Sequence, residues 1–251
     1  MLEKIIQIPF LKKTIKKSAV YSILNLLRDR FFTPAGSLSK YEIKKLLKKE
    51  NPVILEIGAS NGADSLVFLQ IFKKIQLFCF EPNPNAVNAF TFRMNEVKKF
   101  DNKDYKLFPI ALSDKNGNIA LNLISGDPKF MQATIKNLKK GKERINYSGV
   151  KKAVAKKVSV EAKKLDTWAK ENKIRFIDFI WADVEGAERE LIGGGIETLS
   201  KKTHFFYTEY SNEEDFEEQA DLKEILRMLP NFKIKWISNN NVLLENTAFL
   251  R

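Results

Sequence analysis

Apolar and polar residues follow one another along this chain with two periods, and each change of period marks the start or end of an element. Between Leu2 and Phe32 apolar residues such as Ile5, Ile8, Leu11, Ile15 and Ile23 recur at roughly helical spacing among Lys12, Lys13, Lys16, Lys17, Arg28 and Arg30. That spacing predicts one or two amphipathic helices interrupted at Pro9. After a loop at Thr33–Ser37, Ser39–Lys49 predicts a helix that buries Tyr41, Ile43, Leu46 and Leu47, ended before Pro52. Val53–Ile57 is then apolar without alternation apart from Glu56, the signature of a strand covered on both faces of a parallel sheet. Gly58 and Gly62 form a turn, and helical spacing resumes over Ala63–Lys73.

The same succession recurs downstream. Gln76–Phe80 predicts a second strand with Glu81 at its end, followed by Asn83 as a helix cap and Pro84 at a first helical position. Lys106–Leu112 predicts a third strand, Ser113–Asn118 a polar turn, and Ile119–Ile124 a further strand. The pattern is lost over Ser125–Gly149, which predicts a mobile loop or lid, and alternation returns at Val154–Val160 before a helix opening at Leu165–Trp168. Arg175–Val184 predicts a central strand ending at Asp183, then a turn at Gly186, a helix through Leu191 and Ile192, and a stop at Gly193–Gly195. His204–Tyr210 forms the next strand, with Glu209 near its end. The acidic run Glu213–Asp221 predicts a helix start, and Phe232–Ile237 with Val242–Phe249 a closing hairpin. Strands alternating with helices predict an α/β fold: a mostly parallel seven-stranded sheet, a closing antiparallel hairpin, and helices on both faces.

Charge divides the 251 residues into parts. The net charge of +12 separates into +8 over residues 1–50, +10 over 129–164 and −6 over the rest. This predicts a basic helical N-terminal extension over 1–50 and one domain over 51–251 that carries a basic insertion at about 125–164. The basic parts fit either solvated surfaces or an anionic partner. Residues 1–32 fit docking on the domain better than peripheral contact with an anionic membrane. The single cysteine, Cys79, sits in an apolar run, which excludes an intrachain disulfide framework or cysteine zinc site and suits a reducing compartment. Ala19–Leu27 is too short and too polar to span a bilayer, so a cytoplasmic protein is expected, at most peripheral to the inner face of a membrane. No metal site is expected.

The candidate chemistry lies where strands end. Glycines permit close backbone approach, and the start of a helix offers unpaired N–H groups to a ligand. The dinucleotide fingerprint Gly-x-Gly-x-x-Gly is absent; the order here is Glu56-x-Gly58-x-x-x-Gly62. An acidic residue before the turn, without a pyrophosphate cradle, suits a nucleoside bearing a cationic amino-acid tail, S-adenosyl-L-methionine. Glu81 is placed to accept from both ribose hydroxyls. Asp183, Glu185 and Glu209 reach the same sheet edge and are the candidate proton acceptors, Asp183 first. His204 lies at the other end of its strand and is read as structural.

Four segments in order, Leu55-Glu56-Ile57-Gly58-Ala59-Ser60-Asn61-Gly62, Phe80-Glu81-Pro82-Asn83-Pro84, Ala111-Leu112-Ser113-Asp114 with Gly117, and Ala182-Asp183-Val184-Glu185-Gly186-Ala187-Glu188, resemble the FkbM-type methyltransferases. The resemblance covers about Val53 to Glu209, with Glu56 where the family usually has aspartate. It implies a Rossmann-like class I methyltransferase fold and methyl transfer from S-adenosyl-L-methionine to a hydroxyl on a sugar, glycan or lipid-linked saccharide. It also implies cofactor contacts from Glu56, Gly58, Ala59, Ser60, Asn61, Gly62, Ser65, Glu81, Pro82, Asn83, Ser113 and Asp183. Two alternatives stand beside it. The first is an RNA methyltransferase, against which no Asp-Pro-Pro-Tyr-like pocket or RNA-binding motif is found. The second is a non-catalytic membrane-surface or protein-binding module that keeps the fold.

Overall fold

A computed structural model describes residues 38–96, 104–124, 132–137, 154–211, 216–238 and 240–250. The amphipathic stretch at 1–32, and most of the segment expected to be a lid, lie outside the described residues.

Seven strands form the main sheet: β1 (Val53–Ile57), β2 (Gln76–Phe80), β3 (Asp104–Phe108), β8 (Ile177–Ala182), β9 (Thr203–Glu209), β10 (Phe232–Ser238) and β11 (Asn241–Asn246). Their order is β10-β11-β9-β8-β1-β2-β3, and β11 alone runs against the others, pairing antiparallel with both β9 and β10. The α/β fold with a mostly parallel sheet and closing hairpin is therefore as expected. Its central strands are apolar throughout because both faces are covered. From β1, Ile54 enters one core cluster with Leu66, Phe68 and Phe179, while Leu55 and Ile57 enter the other with Phe80, Trp168 and Phe206. Each such fully buried side chain contributes about 1.5–3 kcal/mol relative to exposure.

Local sequence starts the helices. Helix α1 (Lys40–Leu47) opens with a reciprocal cap, the Ser39 hydroxyl accepting from the Glu42 amide at 3.2 Å and Glu42 accepting from the Ser39 amide at 2.8 Å. Helix α2 (Ala63–Ile71) follows β1, and α3 (Pro84–Glu96) follows β2 with Asn83 accepting from the Asn85 amide at 3.0 Å. On the other face lie α4 (Leu165–Glu171), α5 (Glu188–Gly193), α6 (Ile196–Lys202) and α7 (Leu222–Met228). Of the acidic run expected to open α7, Asp221 is the cap, accepting from the Glu224 amide at 2.7 Å; Phe216 is instead buried against Gly186. No described helix is long and apolar enough to cross a membrane.

Three expectations are corrected. The strand expected over Lys106–Leu112 is two strands, β3 in the main sheet and β4 (Ala111–Leu112) in a second one. Pro109 lies between them and lacks the N–H that would continue the ladder. The alternating stretches β5 (Gly117–Ile124) and β7 (Val154–Lys163) pair antiparallel, with β4 on one side and β6 (Ala133–Thr134) on the other, as a four-stranded sheet β4-β7-β5-β6. Residues 132–137 and 154–163 of the expected basic insertion are thus built into a sheet with its own small core of Ile119, Leu121, Leu123, Val160 and Ala162. The boundary expected at residue 50 does not separate α1 from the domain. Ile43 is fully buried, the Lys44 ammonium donates to the Ile71 carbonyl, and Lys49 pairs with Asp178 at 2.8 Å.

Candidate active site

The order of strands reverses at β1, whose neighbours β2 and β8 lead the chain in opposite directions, and ligands of such sheets sit in the crevice beyond the carboxyl ends at this point. A cavity of about 320 Å³ lies there. Its apolar walls include Ile57, Phe80, Ile110, Leu112, Leu121 and Ile135, and its polar groups include Ser60, Asn61, Glu81, Gln132, Thr134, Asp183 and Glu185.

The turn after β1 is held by backbone bonds. The amides of Gly58 and Ala59 both donate to the Phe80 carbonyl at 2.9 Å, and the Ser60 amide donates to one oxygen of Glu81 at 2.8 Å. The other Glu81 oxygen accepts from the Asn83 amide at 2.8 Å, so the carboxyl group is fixed at the cavity wall. Burial pushes the Glu81 pKa up to about 7 against the lowering effect of these two amides, with Glu185 adding to the rise.

Asp183 continues the β8 ladder by donating its amide to the Ile57 carbonyl at 2.8 Å. Asp183 lines the cavity and is exposed to it. Its proton affinity is held above the ordinary aspartate range, first by desolvation of the carboxyl and then by the charges of Glu185, Glu209, Asp64 and Glu188, a rise that water in the open cleft moderates. Glu185 sits in a left-handed conformation, φ +50°, accepting from the Gln132 amide side chain at 2.6 Å. Its carbonyl accepts from the Thr134 hydroxyl at 2.7 Å. Residues 132–135 therefore roof the cavity, and Lys136 secures them by pairing with Glu190 at 2.5 Å and accepting from Asn122 on its carbonyl at 2.6 Å.

Of the residues singled out in the sequence, Gly58, Ser60, Asn61, Glu81, Pro82, Asp183 and Glu185 line the cavity together. Others do not. Glu56 faces α2, as strand alternation requires when Ile57 faces the cavity, and accepts from the Ser65 hydroxyl and the Cys79 thiol. Burial then drives its pKa to about 8. Glu56 and Ser65 are thus paired with each other inside the core instead of meeting an amine. Ala59 is buried, and Asn83 is buried as the cap of α3. Ser113 is buried as well, its amide donating to Lys163 and its hydroxyl to Asp114. A Cβ on Gly62 would lie 2.7 Å from the Phe90 ring, so this glycine serves the contact between α2 and α3. Glu209 ends β9 outside the cavity wall, beyond Tyr207. His204, at the start of the same strand, stacks on Phe205 and lies 3.6 Å from Glu245. Among the described residues no group of His, Cys, Asp and Glu is arranged to hold a metal ion.

Sequence reasoning missed Ile110 and Leu121, and gave Gln132 to Ile135 only as part of a lid over Ser125–Gly149, without a strand in it. Alternation over Ile119–Ile124 was the available signal for Leu121, whereas a two-residue strand such as β6 carries no period. The walls suit a nucleoside with charged ends: apolar surface for a base, a fixed carboxyl for ribose hydroxyls, and carboxylates at the mouth for a cationic tail.

Comparison with known proteins gives the family. Residues 56–235 match the model of the methyltransferase FkbM domain. The chain is 40% identical over 226 residues to 2-O-methyltransferase NoeI of Sinorhizobium fredii (strain NBRC 101917 / NGR234), covering 88% of this chain and 90% of that protein. Among solved structures it overlaps Aeropyrum pernix fibrillarin in complex with S-adenosyl-L-methionine, at 10% identity and TM-score 0.43 over 78% of this chain and 67% of that one. It also overlaps the N-terminal domain of EvdMO1 with SAH bound, at 10% identity and TM-score 0.41 over 88% and 80%. The two structural overlaps are too loose to add to the strand order already described.

Proposed function

The chain belongs to the FkbM methyltransferase family and is an S-adenosyl-L-methionine-dependent methyltransferase, and from that premise we propose that it methylates a hydroxyl of a sugar or glycan with Asp183 as the proton acceptor. The observation that carries this reading is the position of Asp183: it lines the cofactor cavity and opens into the cleft at its mouth, where β1 and β8 meet.

Bound S-adenosyl-L-methionine supplies a methyl group on a sulfonium, open to in-line displacement by an oxygen nucleophile. The protein's part is alignment, exclusion of water and removal of the hydroxyl proton. Ile57, Phe80, Ile110, Leu112 and Leu121 would enclose the base and Glu81 the ribose hydroxyls, while Gln132 to Ile135 keep water from the cavity. The Asp183 carboxylate accepts the proton of the acceptor hydroxyl as its oxygen turns nucleophile. Its raised proton affinity makes it, once ionised, a stronger base than an ordinary aspartate. The 2-O-methyl activity in the relative's name supports an oxygen acceptor.

The test is mass spectrometry of candidate glycans incubated with enzyme and cofactor. A gain of one CH₂ per acceptor is expected from the wild type, and a rate reduced roughly 10²- to 10⁴-fold from Asp183→Asn, with cofactor affinity changed far less. Full activity of Asp183→Asn would remove this residue from the role.

A further inference from the structure

Among the described residues two lysines are buried, Lys40 and Lys136. Lys136 secures the roof. Lys40 lies on the other side of the sheet, as the first residue of α1. Its ammonium is 2.8 Å from the Asp64 carboxylate at the start of α2 and 3.8 Å above the ring of Trp181. Trp181 stacks on Tyr207, its register partner on β9, with centroids 4.3 Å apart. Asp183 and Glu209 come two residues beyond these aromatics on the same faces of their strands, about 7 Å further along at the usual rise.

Nothing in α1 itself favours a cation at this point. A lysine in the first turn opposes the helix dipole, and burying an ammonium is costly unless it is paired. The pairing is instead with Asp64 of α2. The charge of Asp64 acts on Asp183 together with those of Glu185, Glu209 and Glu188. Glu56 on β1 lies within the field of both Asp64 and Lys40, and the Tyr207 hydroxyl within that of Glu209, Asp183 and Asp64.

We propose that Lys40 is a positioning residue for methyl transfer: by neutralising Asp64 across the face of Trp181, it keeps Asp183 able to lose its proton in the working pH range. The catalytic consequence rests on Asp183 being the proton acceptor, whereas the charge effect does not. Removing Lys40 exposes Asp183 to the full charge of Asp64, while removing the charge of Asp64 leaves an uncompensated ammonium. The two changes break the same ion pair yet act on Asp183 with opposite sign.

The experiment is a carbon-13 NMR titration of the full-length protein without cofactor, labelled at aspartate carboxyls, with the Asp183 signal assigned by its loss in Asp183→Asn. Lys40→Met is expected to raise the Asp183 midpoint by about 1 pH unit and Asp64→Asn to lower it by about as much, with Lys40→Arg near the wild type. The acidic limb of kcat/KM for methyl transfer is expected to move in the same two directions. Equal shifts in one direction, or no shift in either variant, would show a mere structural bolt and overturn the proposal. Should Lys40→Met fail to fold, the downward shift in Asp64→Asn decides alone. If the NMR midpoints move as expected while the acidic limb survives in Asp183→Asn, the charge effect stands and the assignment of the proton acceptor fails.

Discussion

A Cβ placed on Gly58 would lie 1.8 Å from the carbonyl oxygen of Asp183. The first glycine of the turn thus lets the ends of β1 and β8 close on each other, and its φ of +88° would strain any other residue. The sequence suggested that this glycine admits a ligand; its nearest obstacle is the backbone that carries the candidate proton acceptor. Gly58→Ala is expected to lower stability by about 2–4 kcal/mol and to weaken cofactor binding at least roughly tenfold. Thermal melting and a calorimetric cofactor titration check this, and wild-type values in both would show that the two strand ends have room to part.

The role proposed for Glu81 implies a pH dependence of cofactor binding. With a pKa near 7, the carboxylate proposed to accept from ribose hydroxyls is present above pH 7 and lost below it. Affinity is therefore expected to fall as pH drops through 7. Glu81→Gln is expected to bind about 10- to 100-fold more weakly at high pH and to lose that part of the dependence. Titrations on either side of pH 7 decide the matter, and a flat wild-type profile would contradict the role given to Glu81.

Glu56 has the opposite relation to pH, through stability. Its pKa is raised from 4.5 to about 8 in the folded chain, so between these values the folded state holds a proton that the unfolded state has released. Stability contributed by the neutral group is present below about pH 4.5 and declines as pH rises toward 8. Glu56→Gln keeps the shape without the charge. It is expected to be near neutral at about pH 5 and stabilising by about 1–3 kcal/mol at about pH 8. Denaturant unfolding at the two pH values measures the difference; equal effects at both would mean that Glu56 is ionised throughout.

Much of the fold was legible because it rests on local periodicity. The apolar run Val53–Ile57, the Asn83-Pro84 cap and the apolar residues around Asp178 each specify an element without reference to distant residues, and β2 begins and ends at the expected residues. The cavity was half legible for the same reason: Gly58, Glu81, Asp183 and Glu185 stand at strand ends, and the ends of neighbouring parallel strands meet. Of the roof only a lid over Ser125–Gly149 was legible, because Gln132 to Ile135 owe their exact position to pairing with β5 and to bonds with Glu185.

The sequence by itself determined the order of strands and helices, the family, and the set of acidic residues at the carboxyl edge. Period and motif are properties of neighbours along the chain. Tertiary structure alone decided which way each acid points: strand alternation and the packing of α2 turn Glu56 into the core against Ser65, while Asp183 opens to the cleft. It also decided that Lys40, inside the span Ser39–Lys49 expected as a helix, lies over Trp181, since that contact joins residues far apart in the chain and is made only once α1 is seated on the sheet.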